Sequence, residues 1–118
     1  LGAYKGKTPD EDWFIDAVSD FVIDWRSSWA AVFLNQKDKA QYIEKERPNN
    51  VQVVETLLGR HGGPYYLKDN FTYADILVYQ ILHDEGLLNQ LQKYPNLSRL
   101  KTAVESRPRL AEYFSKRE

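Results

Sequence analysis

At 118 residues, 42% of them hydrophobic and 14% aromatic, the chain has the material for one domain with a core and is not a disordered tail. Its 16 basic and 17 acidic residues leave a net charge of −1, which gives no basic excess for nucleic acid and no polybasic run for an anionic membrane. The absence of cysteine excludes disulfides, thiolate metal sites and a cysteine nucleophile. No segment reaches the roughly 20 apolar residues of a membrane span. His61 and His83 lie far apart in sequence, and nothing specifies carboxylate partners for them, so no metal site is expected. Leu1-Gly2-Ala3-Tyr4-Lys5 lacks the apolar run of a signal peptide. The lack of any Met points to a fragment or a processed chain.

The first helix opens with Thr8 as N-cap and Pro9 at the first helical position. Asp10, Glu11 and Asp12 follow at the positive end of its dipole. Apolar residues recur in steps of three and four at Phe14, Ala17, Val18, Phe21, Val22, Trp25 and Trp29, which predicts a long helix over 9–34. "NQKDK" reads as a polar turn. A second helical region, from Lys39 to Leu58, is interrupted at Pro48. It is expected as one bent helix or two short ones, the second over 49–58 with Val51, Val54, Leu57 and Leu58 inward. Gly59 and Gly62-Gly63 are stop signals. The following loop should tuck Tyr65, Tyr66 and Leu67 inward.

"FTYADI" marks the start of the third helix. Thr72 and Asp75 have the spacing of a capping box, with Asp in place of the usual Glu or Gln. Phe71 and Ile76 occupy the two positions of a hydrophobic staple. The body that follows, to about His83, is apolar nearly all round, which predicts a helix in the middle of the domain. "YPNLSRLKTAVESRP" gives a fourth helix ending near Ser106, ahead of Pro108. A short last helix over 107–118 should turn Leu110, Tyr113 and Phe114 inward. The fold class is all-α: a bundle of about five helices around a buried central one.

Chemistry is harder to find than structure. Gly62-Gly63 is followed by Pro64 and lacks the Lys-Ser/Thr of a phosphate loop. Ser27 and Ser28 have no His nearby in sequence, so no catalytic residues are assigned. Trp13, Trp25, Trp29 and Phe33 read as core or interface rather than as a ligand platform. Asp12, Asp16, Asp20 and Asp24 fall at steps of four on one stripe of the first helix. Their repulsion costs an isolated helix a few tenths of a kcal/mol per pair. A solvated face is the plain reading; a basic partner surface or a ligand ammonium would offset the repulsion.

The order of these parts resembles the C-terminal helical domain of cytosolic glutathione transferases, most closely the sigma-like group that includes haematopoietic-type prostaglandin D synthases. "LGAYKGKTPDED" is similar to the interdomain linker, which assigns residues 1–8 to a linker remnant and 9–118 to the helical domain. "IDAVSDFVIDW" resembles the V-D-x-x-x-D-x-x-x-D-F segment. "YYLKDNFTYADILVY" resembles the W-L-x-G-x-x-x-T-x-A-D block, and "YPNLSRLKTAVESRPRLAEYFSKR" the family's Pro-Leu ending.

The resemblance implies a parent enzyme that conjugates glutathione to electrophiles, in detoxification or as a prostaglandin isomerase. It implies a cytoplasmic homodimer whose glutathione is bound mainly by an N-terminal thioredoxin-like domain. That domain supplies the activating hydroxyl and is not in this chain, so the 118 residues alone are expected to be inactive. It gives Asp16 a contact with the glutathione amino group across the dimer. Arg26, Trp29, Leu77 and Ile81 become candidates for the co-substrate pocket, whose electrophile is not specified. The departures from the prostaglandin synthases fall in this stretch. The Thr72–Asp75 box is then a folding element rather than a catalytic pair. The competing reading is a non-catalytic interaction module of the kind found in translation elongation factors and aminoacyl-tRNA synthetase complexes.

Overall fold

The structure, a computed structural model, describes residues 8–68 and 71–107. Residues 1–7 of the linker expected over 1–8, and residues 108–118 of the last helix expected over 107–118, with Leu110, Tyr113 and Phe114, fall outside the described residues. Helix α1 spans Pro9–Phe33; α2 is the single turn Lys39–Gln41; α3 spans Arg47–Leu58; α4 spans Tyr73–Asp84; α5 spans Pro95–Glu105. The described residues are helical with no strand, and Tyr65 and Lys68 form an isolated antiparallel bridge.

α1 begins as its sequence dictates, with the Thr8 hydroxyl accepting the Glu11 N–H at 3.2 Å. Its buried face is Phe14, Ile15, Val18, Ser19, Val22 and Trp25. Ala17, counted on the apolar stripe above, is exposed, and Ile15 takes its place in the core. The stripe is centred on 15, 18, 22 and 25, which also step by three and four, so periodicity alone does not choose between the two faces. Ser19 enters this face because its hydroxyl donates to the Ile15 carbonyl at 2.8 Å. Asn35, at φ 58°, closes the helix, and the Gln36 N–H returns to the Ala31 carbonyl at 2.9 Å.

The second region runs through Pro48 without a break. Between α2 and α3 the turns widen into a π-helix, Tyr42–Glu46, and the Arg47 N–H reaches back to the Tyr42 carbonyl. Pro48, in the first turn of α3, has no N–H to donate to the turn before it, and the wider turn accommodates that loss.

α4 packs against both α1 and α5, and α3 packs against α5. Ala74, Asp75, Val78, Tyr79, Ile81 and Leu82 of α4 are buried, and with Leu97, Leu100 and Val104 of α5 they form the middle of the core. Tyr65, Tyr66 and Leu67 of the preceding loop are buried too. A Cβ on Gly63 would lie 2.4 Å from the Lys68 Cα, so only glycine lets that loop close.

Candidate functional site

Two surfaces carry the residues singled out by sequence: the outer stripe of α1 and the C-terminal half of α1 facing the π-turn. On the stripe, Asp16, Asp20 and Asp24 are exposed and Asp12 is half-buried. Asp16 is tied to α4, its Oδ1 accepting the Tyr73 hydroxyl. That bond is the main reason the Tyr73 phenol is held above its ordinary range. Oδ2 of Asp16 has no hydrogen-bond partner among the described residues, and Asp20 and Asp24 make no ion pair there. Trp13 and Ile23 flank the stripe and are largely exposed.

In the second region Trp29 is half-buried and meets Phe33 edge-on, ring centroids 5.0 Å apart. Both border a cleft of about 430 Å³, with Lys39, Tyr42, Ile43 and Arg47 on the opposite side. Arg26 points elsewhere and pairs with Asp84 at the end of α4, 3.1 Å away. His83 Nδ1 lies 3.4 Å from the other oxygen of Asp84. Leu77 is half-buried against the core, and Ile81 is fully buried within it. Of the four co-substrate candidates, the cleft includes Trp29 and not Arg26, Leu77 or Ile81.

The start of α4 fixes where Tyr73 stands. Thr72 is the N-cap, and the capping box with Asp75 is formed. Asp75 Oδ2 accepts the Thr72 N–H at 2.8 Å and the Thr72 hydroxyl at 3.2 Å, so the carboxylate half carries the box. Its Oδ1 accepts the Tyr66 N–H at 2.9 Å, which sews the buried loop to the helix. Burial pushes the Asp75 carboxyl up to about 6 against the pull of these three donors. Phe71 is buried, Ile76 packs against the core, and the Arg107 guanidinium covers the Phe71 ring at 4.2 Å.

Two carboxylates escaped the sequence reading. Glu55 of α3 caps α5 from outside that helix, taking the Asn96 and Leu97 N–H groups at 3.1 and 2.9 Å. Glu85, the C-cap of α4, has a wholly buried side chain. Its Oε2 accepts Trp25 Nε1 and, at 2.7 Å, the Tyr42 hydroxyl, and its Oε1 accepts Arg47 Nε at 2.9 Å. Burial, then Glu85, holds the Tyr42 phenol well above its ordinary range. The partners lie 38 to 60 positions away, and no local spacing signals such a contact.

This arrangement of helices matches known proteins. Residues 23–117 match the family model described as glutathione S-transferase, C-terminal domain, and the chain belongs to that family. It is 27% identical to S-crystallin SL11 of Nototodarus sloanii over 97% of this chain and 60% of that protein. It is 25% identical to glutathione S-transferase P 10 of Caenorhabditis elegans over 96% of this chain and 55% of the relative. It is 26% identical to glutathione S-transferase Mu 1 of Bos taurus over 92% and 50% respectively. The structure of the Pi-class glutathione S-transferase of Onchocerca volvulus superposes with a TM-score of 0.82 at 27% identity, covering 97% of this chain and 58% of that one. The chain therefore spans about half to three-fifths of the length of these relatives. Among the described residues no helix is long and apolar enough to cross a membrane.

Proposed function

We propose that this chain is the helical half of a glutathione transferase that joins glutathione to small electrophiles. The observation that carries the reading is the fold: 97% of the chain follows a Pi-class transferase at a TM-score of 0.82. In the parent, an N-terminal thioredoxin-like domain binds most of the tripeptide and ionises its thiol. The helical half walls the electrophile's pocket and supplies the dimer surface, and holding both reactants lowers the barrier to thiolate attack. Trp29, on the C-terminal half of α1 and bordering the cleft that faces the π-turn, is the proposed wall residue. Asp16 is assigned the glutathione ammonium of the partner subunit. Tyr73 holds one of its oxygens and leaves the other for the cation, a charge-assisted contact. A cytoplasmic homodimer close to the sigma-like group is part of the same proposal.

The test is made on the full-length parent. Retention on immobilised glutathione, together with conjugation of a chlorinated dinitrobenzene, is the expected result. A folded parent that neither binds glutathione nor conjugates it would replace this reading with the non-catalytic interaction module.

A further inference from the structure

Tyr73 is the first residue of α4, so the Thr72–Asp75 capping box sets the backbone from which its side chain reaches α1. Both residues of the box are fully buried, which leaves that starting point little freedom. The phenol crosses to α1 and donates to Asp16 Oδ1. Ser19, three residues on and buried against the core, adds a polar contact to the same phenol oxygen. Two α1 residues at the spacing of helix neighbours therefore straddle the Tyr73 hydroxyl. Asp16 has no other hydrogen-bond or ion-pair partner among the described residues. Asp12 and Asp20, one turn away on either side, repel it. Without the phenol, nothing among the described residues would hold this exposed carboxylate in one rotamer.

A carboxylate that is ordered before its ligand arrives loses no rotamer freedom on binding. We infer that Tyr73 is a positioning residue for glutathione recognition: it fixes the Asp16 carboxylate for the amino group of glutathione, and so sets the preference for thiols that carry that group. The inference rests on the assignment of Asp16 to the glutathione ammonium. The phenol draws some charge from the carboxylate, but water would do the same in its absence. Orientation is what is lost with the hydroxyl, so its removal weakens the contact.

The test is made on the full-length parent, with steady-state kinetics and with calorimetric binding of glutathione and of its analogue lacking the α-amino group. Tyr73→Phe keeps the ring and should raise the glutathione Michaelis constant at least about threefold at low ionic strength, with kcat unchanged at saturation. The deamino analogue should bind this variant as it binds wild type, a contrast that a merely structural loss would not produce. Tyr79→Phe removes a comparable phenol–carboxylate bond, to Glu105 on α5, and should leave both ligands unaffected. The double variant with Asp16→Asn should bind glutathione no more weakly than Asp16→Asn alone, since the phenol acts only through the carboxylate. Wild-type glutathione affinity in Tyr73→Phe beside a loss in Asp16→Asn overturns the positioning role and leaves the Asp16 contact standing. Equal losses for glutathione and its deamino analogue overturn it too, as do tighter binding by Tyr73→Phe or losses that multiply in the double variant. Unchanged affinity in Asp16→Asn removes the contact itself, and the inference with it.

Discussion

Asp75 gathers three hydrogen-bond donors on one buried carboxylate, two from Thr72 and one from Tyr66. An Asn there would keep one acceptor and turn its amide donors toward a second N–H. Asp75→Asn should therefore destabilise the chain by about 1–3 kcal/mol, the cost of leaving a buried donor unmet. The pH dependence has a definite sign. Folding raises the Asp75 pKa from 3.8 to about 6, so the folded chain keeps a proton that the unfolded chain has released. The stabilisation is complete below the unfolded value and is lost as pH rises through about 6, by roughly 3 kcal/mol in all. Denaturant melts of wild type and Asp75→Asn across this range should show the wild-type advantage shrinking as pH rises. A constant difference would mean that Asp75 does not titrate in that window.

At the scale of elements, Glu85 does what no local rule provides: from the end of α4 it holds α1 through Trp25, the π-turn through Tyr42 and α3 through Arg47. Glu85→Gln keeps the shape and removes the charge that faces the guanidinium. Because Arg47 remains partly in contact with solvent, the expected loss is about 1.5–3 kcal/mol, below the full cost of breaking a fully buried pair. Equilibrium unfolding followed by tryptophan emission measures it, and an unchanged midpoint would show that the node is dispensable. The same node marks the limit of reading this sequence. Helix starts were legible at Thr8-Pro9 and at Thr72–Asp75 because a cap and its donors are three residues apart. The buried character of α4 was legible because its side chains are apolar on every face. Pro48 announced a break, but the π-turn that resolves it depends on Tyr42 and Arg47 both reaching Glu85, a contact across about 40 residues. Glu55 capping α5 is of the same kind. The face of α1 was legible at Phe14, Val18, Val22 and Trp25 and was missed only at its edge, where Ala17 is exposed and Ile15 is buried, a choice the neighbouring helices make.

For the whole molecule, the acidic stripe of α1 is the surface that folding of this chain leaves unanswered. Asp16, Asp20 and Asp24 repeat a like charge every turn, and nothing basic in the described residues faces Asp20 or Asp24. Like charges at this spacing repel along the helix, and an opposite charge from outside the chain would offset that repulsion. The proposed occupant is the glutathione ammonium of a partner subunit. On the proposed division of labour, in which an N-terminal domain ionises the thiol, these 118 residues by themselves should show no conjugating activity. In the full-length parent, Asp16→Asn should raise the glutathione Michaelis constant roughly ten- to hundredfold at low ionic strength, as expected for losing one charge-assisted hydrogen bond. Its melting temperature should stay near wild type, because Asp16 is exposed. Asp24→Asn, two turns along the same stripe, is the control for a general field effect. A change confined to Asp24→Asn would move the contact to that end of the helix, and no change in either variant would remove the stripe from the glutathione site.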